Sequence, residues 1–367
     1  MKSSMILKAN DIIDGKYKIT EFIGQGGMQQ VYKARHILLS KEVAIKTPIN
    51  PSALKRFKST AVASARVNHP NVAKTLDYLE INNLSLLVEE LIDGPDLKQG
   101  LLSRVRALDP SLVAKILHHL AKGVAASHQA DVVHRDLKPN NVMITGGFSV
   151  DEIKITDFGI AKLVEEEMSS AEDGDLSRST SSTVIGAWPY MAPEMILGYR
   201  DAGKPADVWS LAAMSYELMS GLKPFGPGAK ALAAVLRSPI PVPARPAQLE
   251  RKPQFEPLGD ELYGLICSCL LADPSARPTA AQLAKRCESL CYSVSHRFNG
   301  RCNYIHPRGA MGQITAANGD KIFFNMDSVY GDRPEVESNV CFSAFPGQPL
   351  PRAHPVLVLK TGPAPES

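Results

Sequence analysis

Between Tyr17 and Lys46 apolar and polar residues alternate in three short runs, YKITEFIG, VYKARHI and KEVAIK, with a cluster of glycines between the first two. Alternation of period two, rich in β-branched and aromatic residues, predicts strands that bury one face. From Ser52 to Val67 the spacing changes: Leu54, Phe57, Ala61 and Ala65 recur at helical intervals, and Asn68, Pro70 and Asn71 end the pattern. A helix packed beside a small antiparallel sheet follows. Beyond the apolar strand LSLLVEEL, the segments SLVAKILHHLAKGVAASHQ and VWSLAAMSYELMSG predict long helices. Past residue 296 five short strand-like runs appear, near Arg301–Ile305, Gly312–Ala316, Lys321–Asn325, Val340–Ala344 and Val356–Leu359. The expected fold class is α+β: a small β-rich lobe, a large helical lobe and a small five-stranded β-barrel of OB type. Two stretches break these patterns, residues 165–183, acidic then hydroxyl-rich, and the proline-rich 238–257. The first is a candidate regulatory loop and the second a connector.

A chain of 367 residues exceeds what one core usually supports, which agrees with a large unit plus a small one. Its 41 basic and 38 acidic residues leave a net charge of +3, too little to pull the whole molecule toward nucleic acid or an anionic membrane. The cysteines at 267, 269, 287, 291, 302 and 341 match no standard zinc spacing and read as reduced thiols. No run reaches the roughly 18 apolar residues of a membrane helix, so no membrane span is expected. The opening MKSSMILKANDIIDGKY is unlike a secretory signal, and a cytoplasmic location is expected.

Chemistry enters with the glycines. Gly24, Gly26 and Gly27 lie between two strands, where backbone amides without Cβ atoms can approach phosphates closely. Alone, such a hairpin is only a turn. Its weight rises with Val43-Ala44-Ile45-Lys46, since a strand-borne lysine can neutralise phosphates beneath that loop. His134-Arg135-Asp136-Leu137-Lys138-Pro139-Asn140-Asn141 comes later, and Asp157-Phe158-Gly159 starts sixteen residues after Asn141. Phosphoryl transfer needs a carboxylate to orient a hydroxyl and accept its proton, plus oxygen ligands for Mg²⁺. Asp136, Asn141 and Asp157 supply these types in order, followed by Ala192-Pro193-Glu194 and Asp207-Val208-Trp209.

On these motifs, residues 14–290 resemble the protein kinase superfamily, in particular the bacterial serine/threonine kinases. The resemblance implies a two-lobed kinase fold and γ-phosphoryl transfer from ATP, with Mg²⁺, to protein serine or threonine hydroxyls. It implies that Ile23, Gly24, Gly26, Gly27, Val31, Ala44 and Glu90 surround the nucleotide and that Lys46 holds its α- and β-phosphates. Asp136 would be the catalytic base, Lys138 would contact the γ-phosphate, and Asn141 and Asp157 would hold the metal. Glu194 would pair with Arg277. Arg135 would receive a phosphate placed by autophosphorylation on Ser179, Thr180 or Thr183 of the hydroxyl cluster.

Four positions depart from that family's pattern. Gln29 replaces the third loop glycine, Thr60 stands where the helix glutamate that pairs with the lysine is expected, and Ala187 replaces a threonine before the APE motif. Glu89 occupies an apolar position at the back of the nucleotide pocket, and it is expected to pair with Lys46 in place of the missing glutamate. The first three departures motivate a rival reading, a pseudokinase that binds ATP or docks partners without transfer.

Residues 296–360 resemble a cold-shock domain through GRCNYIHPRGAMGQITAANGDKIFFNMDSV. That resemblance makes Tyr304 and Phe323 candidates for stacking on single-stranded nucleic acid, although Met311, Gln313 and Asn325 replace other members of the platform. Residues 291–367 carry seven Lys/Arg against six Asp/Glu, which gives no positive groove. A third reading makes the barrel the nucleic-acid-binding principal and the kinase unit its regulator. With its own strand set the barrel is expected to fold separately, so a chain ended near residue 292 should keep its catalysis.

Overall fold

The computed structural model describes residues 5–26, 29–49, 54–158, 186–198, 202–250 and 256–360. The first sheet contains β1 (Ile12–Ile13), β2 (Tyr17–Gln25), β3 (Gln29–His36), β4 (Glu42–Pro48), β5 (Thr75–Ile81) and β6 (Leu84–Glu90). Their order is β1-β2-β3-β4-β6-β5, antiparallel throughout. Tyr17, Ile19, Tyr32, Ala34, Val43, Ile45, Leu86 and Val88 alternate onto one face and form its core. The intervening residues, among them Ala44, Lys46, Leu87 and Glu89, therefore share the opposite face. Helix α1 (Leu54–Ser64) seats Phe57 and Ala61 on that face against Leu87.

The helical lobe is built around α2 (Pro110–Gln129), followed by α3 (Pro193–Leu197), α4 (Lys204–Ser220), α5 (Ala229–Val235), α6 (Glu256–Cys269) and α7 (Ala280–Glu288). Asp109 caps α2 by accepting from the Leu112 amide at 3.2 Å. Gly221 ends α4 in the left-handed conformation, φ +72°. The expected Glu194–Arg277 pair forms as a bidentate contact of 2.7 and 2.9 Å, and the guanidinium lies over Trp209 at 4.9 Å. Among the described residues no helix is long and apolar enough to cross a membrane.

The C-terminal unit holds β9 (Phe298–Ile305), β10 (Met311–Ala316), β11 (Lys321–Asn325), a short β12 (Val329–Tyr330), β13 (Asn339–Phe345) and β14 (Arg352–Val358). Strands run β11-β10-β9-β13-β14, and pairing of Phe323 with Arg352 closes them into a five-stranded barrel. Strand β14 begins four residues before the expected Val356 and contains Pro355, which cannot donate to a ladder and falls where the β13–β14 register shifts.

The barrel has a core of its own around Ile314, Phe324, Val340, Phe342 and Val356. It does not stand apart, however. Tyr330, Cys341 and Leu357 belong to the core of the helical lobe, and Arg297 forms a buried 2.7 Å ion pair with the cap residue Asp109. The Lys360 amide donates to the Arg104 carbonyl at 2.8 Å. At the same junction Gly331 sits at φ +81°, where an added Cβ would lie 3.3 Å from the Ala107 nitrogen. A chain ended near residue 292 would uncover the part of the lobe's core that Tyr330, Cys341 and Leu357 cover.

Candidate active site

The segment from His134 to Asn141 leads into β7 (Val142–Ile144), and Asp157 follows β8 (Ile153–Ile155). These two strands form a hairpin in which Val142 faces Ile155, so both chemistry-bearing segments leave the same end of it. The Thr156 amide donates to the Asn141 carbonyl at 2.9 Å, which fixes Asn141 beside Asp157. Asp207, fully buried on the first turn of α4, anchors the preceding loop. Its carboxylate accepts from the His134 amide at 2.9 Å and the Arg135 amide at 2.8 Å, and it meets His128 Nε2 at 2.8 Å. Arg135 and Asp157 adopt φ of +62° and +60°. Left-handed backbone is costly for side chains of this kind and persists where surrounding bonds over-determine it.

Within the loop Lys138 Nζ donates to both oxygens of Asp136, at 3.0 and 2.8 Å. Asn141 Nδ2 donates to the Asp136 carbonyl at 2.7 Å and to its Oδ2 at 3.0 Å. The base candidate is thus held by two neighbours without the hydroxyl that Ala187 lacks. Arg135 Nε donates to the Ala202 carbonyl at 2.9 Å.

On the sheet side Lys46 is opposite Leu87 and Glu89 is opposite Ala44, which makes Lys46 and Glu89 diagonal neighbours on one face. Their charged groups meet at 2.6 Å. The expected pairing of Glu89 with Lys46 is therefore present. Lys46 Nζ also reaches Asp157 Oδ1 at 2.8 Å, and Gln29 Nε2 donates to that same oxygen at 2.8 Å. Burial alone would lower the Lys46 pKa, but Asp157 and Glu89 outweigh it and hold the ammonium above its ordinary value. Burial would raise Asp157; the Lys46 charge and the bonds from Lys46 and Gln29 keep its carboxyl below the usual range. Gln29 thus does more than stiffen the turn: it ties the glycine-rich hairpin to Asp157. That hairpin is closed by Gly26 N–H donating to the Gln29 carbonyl at 2.9 Å.

Gly26, Gln29, Val31, Asp136, Lys138, Asn141 and Asp157 line one cleft of about 700 Å³ between the lobes. Of the other expected nucleotide residues, Ala44 and Lys46 are buried on β4 behind it, Gly24 pairs with Val31 across the hairpin, and Ile23 is exposed beside it. Glu90, at the end of β6, forms an ion pair with Lys154 and accepts from the Lys74 amide at 3.3 Å. Gly27, Ser179, Thr180 and Thr183 lie outside the described residues. Tyr190, Glu217 and Lys223 are among the other residues that line the cleft, with the Tyr190 hydroxyl donating to Glu217 and the Lys223 ammonium 5.7 Å from the tyrosine ring centre. Tyr190 stands two residues before the Ala192-Pro193-Glu194 motif, while Glu217 and Lys223, at the end of α4 and just beyond it, belong to no motif read from the sequence.

Asp157 Oδ2 and Asn141 Oδ1 receive no hydrogen bond from any described residue. A carboxylate and an amide oxygen on residues lining one cleft are the hard donors that Mg²⁺ takes together with phosphate oxygens. The residues present fit that ion.

On the barrel, Gln313 is the cross-strand partner of both Tyr304 and Phe323, so an amide separates the two aromatic rings. Arg352 covers Phe323 at 5.6 Å. Tyr304 is half exposed.

A twisted antiparallel lobe with a lysine–carboxylate pair, a glycine-rich hairpin and a helical lobe bearing Asp136, Asn141 and Asp157 across one cleft define the kinase class of phosphotransferases. Sequence comparison agrees: the protein kinase domain family matches residues 17–287, and the chain belongs to that family. It is 31% identical to the serine/threonine-protein kinase pkn2 of Myxococcus xanthus over 321 residues, 85% of this chain and 37% of the relative. It is 34% identical to the serine/threonine-protein kinase PknA of Mycobacterium tuberculosis over 244 residues, 63% of this chain and 53% of the relative. The chain spans about half the length of these curated relatives, or less. Among solved structures, a point mutant of the PknI kinase domain of Mycobacterium tuberculosis superposes with a TM-score of 0.56 at 23% identity. That superposition covers 78% of this chain and 99% of the other, and it establishes the fold alone.

Proposed function

We propose that this chain transfers the γ-phosphoryl group of ATP to serine or threonine hydroxyls of proteins. The observation that carries the reading is the convergence of Asp136, Lys138, Asn141 and Asp157 on one cleft beneath the glycine-rich hairpin. Asp136 would orient the acceptor hydroxyl and take its proton as the hydroxyl oxygen bonds to the γ-phosphorus and the bond to the β-phosphate oxygen breaks, releasing ADP. Lys138, already on Asp136, would meet the incoming γ-phosphate, and Lys46 would hold the α- and β-phosphates. Asn141 and Asp157 would hold Mg²⁺, which neutralises charge between the β- and γ-phosphates when bound. Most of the rate would come from positioning and fixed charge.

Arg135 is the receptor we assign to a phosphate on Ser179, Thr180 or Thr183, so that self-phosphorylation orders the substrate-accepting segment. We place the protein in the cytoplasm, consistent with six unpaired cysteines. Incubating the chain and its Asp136→Asn variant with labelled ATP and Mg²⁺ tests the reading. Label incorporated by the wild type alone supports it, and equal labelling in both defeats it.

A further inference from the structure

Helix α1, Leu54–Ser64, reads LKRFKSTAVAS and contains no aspartate or glutamate anywhere along its length. No residue of that helix can therefore give Lys46 a carboxylate. Among the described residues, the carboxylates that reach Lys46 are Glu89, from the adjacent strand, and Asp157. We propose that Glu89 is the positioning residue for Lys46 and that it makes the placement of the lysine independent of α1. The inference rests on the kinase reading and specifies how its phosphate-binding lysine is held.

Strands β4 and β6 lie inside the sheet, between β3 and β5, and are laddered from Val43–Glu90 to Lys46–Leu87. The ladder fixes the backbones that carry Lys46 and Glu89 relative to each other, and slipping that register would turn every side chain of one strand to the wrong face. Helix α1 is attached by different means. Phe57 and Ala61 form a small apolar cluster with Leu87 and Tyr78, and Lys58 reaches Glu80 at 3.1 Å on the surface. A displacement of α1 would open that apolar seat and leave the Lys46–Glu89 contact in place. Kinase control that works by swinging this helix acts through a helix-borne glutamate, and here it has nothing to pull on.

The charge count gives Glu89 a second effect. One ammonium faces two carboxylates, so Lys46 is shared between Glu89 and Asp157 rather than committed to Asp157. With Glu89 neutral, Lys46 would pair with Asp157 alone and compete with a metal ion for it, since a buried cation left with fewer partners takes the nearest remaining anion.

The test uses the full chain, with ADP as the probe and Mg²⁺ varied, followed by titration calorimetry and with folding checked by thermal melting. Glu89→Gln is expected to weaken Mg²⁺-dependent ADP binding by about tenfold or more, the scale of one lost charged hydrogen bond. Phe57→Leu, which loosens the seat of α1, is expected to lower the melting temperature and to change ADP affinity less than about twofold on the same scale. Should Glu89→Gln not fold, Glu89→Asp, which retracts the charge by one carbon, takes its place with a loss of several-fold expected. Wild-type affinity in the Glu89 variant overturns the proposal. So does a Phe57→Leu loss as large as that of the Glu89 variant. Failure of the wild type itself to bind Mg²⁺–ADP overturns the kinase reading and the proposal with it, which separates the two failures.

Discussion

Asp207 and Asp157 serve the same loop region from opposite sides, and their surroundings differ in kind. Asp207 is wholly buried, its oxygens taken by two backbone amides and a histidine. Asp157 is partly open to the cleft, and Lys46 and Gln29 crowd onto one of its oxygens while the other faces no described donor. A fully satisfied buried carboxylate has no capacity left for a ligand and stabilises the fold. A carboxylate with an accepting oxygen directed at a cleft keeps that capacity. Residue type and motif membership do not separate the two roles; the hydrogen-bond inventory does.

Replacing each aspartate separates a ligand-binding carboxylate from a structural one. Asp157→Asn is expected to reduce phosphoryl transfer by about 10³-fold, the upper range for loss of one electrostatic group, with a melting temperature near that of the wild type. Asp207→Ala is expected to do the reverse in stability, at a cost of about 3–5 kcal/mol in denaturant unfolding, because three donors lose their acceptor in the interior. Similar melting curves for both variants would remove the distinction.

The junction with the barrel holds another buried carboxylate. Asp109 caps α2 and pairs with Arg297, both nearly inaccessible. Arg297→Ala leaves that carboxylate unpaired and is expected to cost about 3 kcal/mol, read as a lower unfolding midpoint of the full chain. Unchanged stability would mean that the Arg297–Asp109 pair contributes nothing to the seam between barrel and lobe.

The smallest effect concerns pH. Burial pushes the His69, His118 and His119 pKa values below the ordinary histidine value. The unfolded chain then binds protons more readily than the folded one, so stability is complete above about pH 6.5 and declines as pH falls below it. A lower melting temperature at about pH 5.5 than at about pH 7.5 is expected, with a shallower slope in His119→Gln. A slope of opposite sign would contradict the assignment.

Much of the cleft was legible because its residues come in contiguous motifs: the run from His134 to Asn141 and the Asp157-Phe158 pair need only local order to be read. The Lys46–Glu89 pair was legible for a different reason, since the period of a strand determines which residues share a face. Gln29 was noticed as a missing glycine, but its amide contact with Asp157 bridges 128 positions and depends on how the lobes close. Strand β5 is not legible in the sequence because TLDYLEI is only half-buried, with Asp77 on the face of Leu79 and Ile81 and the apolar pair Tyr78-Leu79 breaking its alternation. Tyr330, Cys341 and Leu357 read as ordinary barrel residues. Only the docked structure shows them covered by another unit's core.

By the proposed function the cleft transfers phosphate to hydroxyls rather than merely holding nucleotide. Phosphoamino-acid analysis of the full chain after incubation with γ-labelled ATP and Mg²⁺ tests it most directly. The expected result is acid-stable label on serine or threonine in the wild type and none in Asp136→Asn; nucleotide bound with no label on protein, or label released only as inorganic phosphate, would contradict it.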